Sequence, residues 1–132
     1  MLTAPSQAAE SYAQATSNPV YAYHFTHTPD YRPQAGNITQ CYGTMACHAM
    51  ELPYTFHIPD GLFTPEEELL SAGMIDYWTN FAAGNINGHG PEVVWPRFNA
   101  TTLQHVLIHD TFSVATWDIP GCDVFAEIGY LY

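Results

Sequence analysis

Seven histidines, three cysteines and the serines Ser6, Ser11, Ser17, Ser71 and Ser113 carry most of the acid–base, metal-binding and nucleophilic chemistry open to this chain of 132 residues. One of them stands apart. His48 opens the stretch His48-Ala49-Met50-Glu51-Leu52-Pro53-Tyr54-Thr55-Phe56, a lone imidazole followed at once by a tightly specified acidic and apolar pattern. An imidazole titrates near neutrality, so it can take a proton and give it back within one reaction cycle. The other histidines invite a metal reading, because neutral imidazoles are good ligands. Their spacing argues against it. His24 and His27 straddle the end of a short β-like run and need not point the same way. His105 and His109 share a strand face but lie about 13 Å apart at strand rise, too far to hold one ion together. These four are expected to be structural or surface residues, and neither metal nor cofactor is expected.

Cys47 adjoins His48, but neighbouring side chains diverge and a nucleophile must reach its base through space, so this thiol is expected to pack in its loop. Cys41, Cys47 and Cys122 are odd in number, which leaves at least one thiol free or paired outside the chain. Cys41 and Cys47 can pair across the loop between them, or all three can be small buried residues; both readings stay open. The run Glu66-Glu67-Glu68 lacks the oxygen spacing of a calcium loop and is expected to be a helix N-terminus favoured by the macrodipole.

Composition bounds what these residues can serve. The chain is 47% hydrophobic and 14% aromatic, enough to bury a core, and its length predicts one domain across residues 1–132 with no separate second domain. Thirteen acids stand against two bases, Arg32 and Arg97, for a net charge of −11. Counterion release at phosphates needs clustered Lys or Arg, so nucleic acid and anionic membrane surfaces are not expected partners. No window holds the roughly 18 apolar residues of a membrane-spanning helix, and Met1-Leu2-Thr3-Ala4-Pro5 lacks the start of a signal peptide. The sequons Asn37-Ile38-Thr39 and Asn99-Ala100-Thr101 fit an extracellular setting reached through an upstream signal; a cytoplasmic one is the alternative.

Elements must position His48. Residues 4–17 read as a short helix that Asn18-Pro19 stops. Residues 20–25, Val-Tyr-Ala-Tyr-His-Phe, read as a strand buried on both faces. From residue 26 to residue 47 the chain turns polar and long for an ordinary connection, and His48 sits where that loop ends. Thr64-Pro65-Glu66-Glu67 supplies a cap, a proline at the first helical position and an acid three residues after the cap. An apolar stripe of Leu70, Met74, Tyr77, Trp78 and Phe81 follows, which predicts a helix over 65–83 with Gly84 past its end. Residues 84–91 are turn chemistry and Trp95-Pro96-Arg97-Phe98 begins extended chain. Residues 105–109 alternate as a strand, hairpinned with a second over 112–117. Val124, Phe125, Ile128 and Leu131 can share one side of a terminal helix.

In order, the strand at 20–25, Ala46-Cys47-His48 through Phe56, Glu67-Glu68-Leu69-Leu70-Ser71 with Tyr77-Trp78-Thr79-Asn80-Phe81-Ala82, and Trp95-Pro96-Arg97-Phe98 resemble the C-terminal portion of type-B carboxylesterases, the family that includes the cholinesterases. The resemblance covers residues 18–125. It implies an α/β fold, the C-terminal and incomplete part of an α/β-hydrolase with a mostly parallel sheet and helices on both faces. It also implies that His48 is the triad histidine, on a loop after the last core strands and last in the order Ser, Asp or Glu, His. Glu51 matches an acidic position that follows the family's histidine and looks structural; the family supplies its triad acid upstream. Cys122 aligns with a cysteine that cholinesterases bridge to one before the last core strand, but residues 4–15 offer no cysteine, so that bridge is expected to be absent.

The resemblance therefore implies part of a serine carboxylic ester hydrolase acting on a small-molecule ester of moderate size, partnered by the upstream N-terminal part of the same domain. This chain carries no Gly-x-Ser-x-Gly elbow and is expected to be inactive alone. The alternative is a catalytically inactive cholinesterase-like binding or adhesion module, a role with no chemical need for an imidazole at position 48.

Overall fold

A computed structural model describes residues 9, 11–12, 15–30, 46–58, 61–90, 92–99 and 101–117. The chain divides into two compact units. One holds Met1–Tyr23, Trp95–Val106 and Val114–Tyr132, the other His24–Val94 and Leu107–Ser113. Three strands, β1 (Tyr23–Phe25), β2 (Gln104–Ile108) and β3 (Phe112–Thr116), pair in the order β1-β2-β3. The N–H of Val106 donates to Ala22 O and that of Thr26 to Ile108 O, so the register of β1 and β2 rises together and the two run parallel. β2 and β3 form the expected antiparallel hairpin, closed at its open end by Trp117 N–H to Leu103 O.

β1 is shorter than the expected strand and is not buried on both faces: Tyr23 is exposed, His24 and Phe25 half-buried. Its β-branched and aromatic residues do favour an extended chain, but among the described strands β1 stands at the edge of the sheet, where only one side is paired.

In the first unit the Trp95 indole N–H donates to Ala22 O and its ring meets Tyr23 edge-on, while Phe98 N–H donates to Val20 O. Residues 94–99 form no strand; two buried aromatic side chains, Trp95 and Phe98, anchor that stretch instead. His105 is buried against the Trp117 ring. Ala9, Ser11, Tyr12 and Ala15 are helical, in keeping with the expected helix over 4–17; its other residues before Ala15, and the whole expected terminal helix, lie outside the described residues.

The second unit is built on two helices, α1 (Leu52–Phe56) and α2 (Pro65–Ala82). α2 matches its sequence signals. Thr64 Oγ1 accepts from Glu67 N–H, the Glu67 carboxylate accepts from Thr64 N–H, and Gly84 follows the end at φ 85°, a conformation glycine adopts without a Cβ penalty. Its buried line is Glu67, Leu70, Ser71, Met74 and Tyr77. Each large apolar member removed from water contributes about 1.5–3 kcal/mol. Phe112 packs on Tyr77 with ring centroids 5.1 Å apart and lies so close to Gly73 that a Cβ there would come within 2.5 Å of the ring. Only a glycine permits that approach. Phe81, expected on the buried stripe, is instead 57% exposed and Trp78 only half-buried, so the buried line ends at Tyr77, one turn before the helix does. α1 is five residues long, too short for a periodic pattern to announce it.

Candidate functional site

His48 lies exposed on the turn over residues 48–50 that leads into α1. The turn is built from backbone hydrogen bonds laid end to end: Met50 N–H to Cys47 O, Leu52 N–H to Ala49 O, then Thr55 N–H to Glu51 O inside the helix. Ala49 takes φ 65°, a left-handed conformation costly for a residue with a Cβ, which bends the chain directly after the histidine. Cys47, for which both a disulfide and a packed thiol stood open, is disulfide-bonded and so pinned just before His48. Cys41 and Cys122 lie outside the described residues. Glu51 is half-buried at the N-cap of α1 and holds Thr55 through its carbonyl, which fits a structural part.

The buried carboxylate that α1 reaches through Tyr54 is Glu67, 1% exposed. Its Oε1 accepts from the Tyr54 hydroxyl at 2.7 Å, Asp30 N–H at 3.0 Å and His27 Nε2 at 3.3 Å. Its Oε2 accepts from Thr64 N–H at 2.9 Å. Burial pushes the Glu67 carboxyl up, but the bonds from Thr64, Tyr54, Asp30 and His27 outweigh it and hold its pKa below the ordinary value. His27 is buried as well, and its Nδ1 faces Asp110 Oδ1 at 3.0 Å. His27, Asp30, Thr64, Glu66, Glu67, Leu70 and Asp110 line a cavity of about 250 Å³. The acidic run of α2 is thus not one solvated face: Glu67 is its buried member.

A second grouping has the outline of a catalytic triad. His57 Nδ1 is 3.0 Å from Ser71 Oγ, and His57 Nε2 is 3.4 Å from Glu68 Oε2. Proton geometry rules out a nucleophile here. Ser71 has a single hydroxyl proton and donates it to Tyr54 O at 2.7 Å, so it can only accept from His57. Its side chain is also fully buried, out of reach of any substrate. A base that donates to the serine cannot activate it. Ser71 and His57 fasten α1 to α2 instead.

The other histidines divide between buried and exposed places, and His109 lies past the end of β2 rather than on the strand face it was expected to share with His105. His105 is buried, His109 is exposed with its Nδ1 within 3.3 Å of Thr26 Oγ1, and His24 is half-buried on β1. Sequence reasoning missed the Glu67 cluster. Its only local signal is the capping box, which identifies Glu67 as a helix cap and says nothing of His27, Asp30 or Tyr54.

Comparison with known proteins gives this geometry a context. The model of the Carboxylesterase family matches residues 1–118. A medium-chain fatty acyl-CoA hydrolase precursor of Anas platyrhynchos is 42% identical over 85 residues, 62% of this chain and 14% of that protein. Acetylcholinesterase of Bungarus fasciatus is 34% identical over 108 residues, 78% of this chain and 17% of that protein. The solved structure of a PNB esterase superposes with a TM-score of 0.56 at 28% identity, covering 83% of this chain and 21% of its own. The chain therefore spans about one sixth of the length of such relatives, and its strands and helices are those of a partial α/β fold.

Proposed function

Since the chain belongs to the carboxylesterase family, we propose that it is the C-terminal part of a serine carboxylic ester hydrolase, with His48 as the general base and acid of a triad whose serine and acid lie outside residues 1–132. The observation that supports this most is the setting of His48. It is exposed, held on a hydrogen-bonded turn between a disulfide-bonded cysteine and a docked helix, and able to meet a serine hydroxyl presented from elsewhere. In the reaction His48 takes the proton of that serine as it attacks the ester carbonyl, then returns it to the departing alcohol. The acid beyond this chain orients the ring. The substrate is a small-molecule carboxylic ester of moderate size, the N-terminal part of the domain is the necessary partner, and the exposed Asn99 of the second sequon suits an extracellular protein.

Among the described residues no helix is long and apolar enough to cross a membrane. The test is hydrolysis of a p-nitrophenyl ester by the full-length polypeptide that contains this segment. Saturable turnover blocked by a serine-directed organophosphate is the expected result. A folded full-length protein without that turnover would favour the binding or adhesion reading.

A further inference from the structure

Two ends of one loop meet at a single buried carboxylate. The loop that carries His48 leaves β1 through His27 and Asp30 and returns through residues 46–50 into α1. Glu67 Oε1 accepts from His27 Nε2 and Asp30 N–H on the outgoing side and from the Tyr54 hydroxyl on the returning side, while Oε2 accepts from Thr64 N–H. Tyr54 is 0% exposed and stacks on Phe63 at 4.9 Å, so α1 cannot shift without breaking the bond to Glu67 or unstacking that ring. The hydrogen-bonded turn carries any displacement of α1 back to His48, four residues before its first residue.

We propose that Glu67 is the positioning residue of the catalytic base: its carboxylate ties both ends of the His48 loop to the first turn of α2 and so fixes where the imidazole stands. The inference rests on the reading of His48 as that base. A capping role alone needs one donor, Thr64 N–H; the three on Oε1 belong to the loop. Glutamine cannot replace this group. Its amide has one oxygen, so either the three loop donors or the Thr64 N–H must face an NH2 that also donates. Displacing a base by the order of 1 Å costs up to about 100-fold in rate without touching the substrate.

The test compares Glu67→Gln with wild type and with Met74→Ala, a core variant remote from the loop, in the full-length protein. Organophosphate titration to completion counts competent sites, and amide exchange reads the turn. For Glu67→Gln the expected result is a fall in kcat per titrated site of about 10- to 100-fold with KM within about twofold, together with faster exchange at Met50 and Leu52. Met74→Ala is expected to lower the melting temperature while kcat per titrated site holds. The proposal is overturned if Glu67→Gln keeps the wild-type kcat per site and merely yields fewer sites, or if exchange at Met50 and Leu52 is unchanged. Exchange can be read without turnover, so an inactive wild type would sink the esterase reading and still decide whether Glu67 holds the turn.

Discussion

Ser71 and His57 show how little a distance says without its protons. At 3.0 Å they make a convincing serine–imidazole pair, yet the serine proton is already committed to the Tyr54 carbonyl and the hydroxyl is sealed from solvent. Ser71→Ala in the full-length protein should therefore lower the proposed turnover by less than about tenfold, where loss of a true nucleophile costs about 10⁶, and should destabilise the fold by about 1 kcal/mol through the lost hydrogen bond. Kinetics and a thermal melt of one variant check both, and near-complete loss of turnover at full folding would restore Ser71 as a nucleophile. The proposed role of His48 rests on a local pattern among its neighbours, which a sequence can display by itself. The Glu67 cluster was not legible in that way, because His27, Asp30, Tyr54 and Thr64 come from separate stretches and meet only through the fold.

Capping explains why α2 is the element that the sequence describes best. Thr64, Pro65 and Glu67 are a local code that needs no tertiary contact to be read, and Gly84 ends the helix by the same kind of rule. Thr64→Ala should cost about 1 kcal/mol, measured by denaturant unfolding, and a cost near zero would mean the cap is redundant. α1 and the exposed edge of β1 escape such rules, since a five-residue helix and a three-residue strand exist through what they dock against. The buried end of α2 also sets a pH dependence. The folded pKa of Glu67 lies below its ordinary 4.5, so its contribution is fully present above that value and is lost as pH falls through the folded pKa. His27, Asp110 and Tyr54 face the same cluster. The melting-temperature gap between wild type and Glu67→Gln should hold from neutrality down to about pH 5 and close below it; a gap that widened on acidification would reverse the sign argued here.

At the scale of the whole molecule, apolar side chains stand exposed among the described residues. Phe56, Ile58 and Leu69 are each more than half exposed, as 64%, 57% and 69% of their surfaces remain in solvent. β1 is paired on one side only among the described strands. A chain about one sixth as long as its relatives is expected to show such faces, and the isolated 132-residue polypeptide should self-associate or bind a hydrophobic dye. A monodisperse monomer with a sharp cooperative melt would contradict that. The family and the partial α/β fold were legible in the order of four short segments; the division into two compact units was not, because contacts between distant stretches define it. The central claim concerns one imidazole within the proposed full-length esterase, and the most direct measurement is ester turnover by the full-length protein carrying His48→Ala beside His24→Gln, His105→Gln and His109→Gln. The account predicts a fall on the order of 10³ or more for His48→Ala with the fold intact, and losses of no more than about tenfold for the other three. Near-normal turnover in His48→Ala, with one of the others inactive, would contradict it.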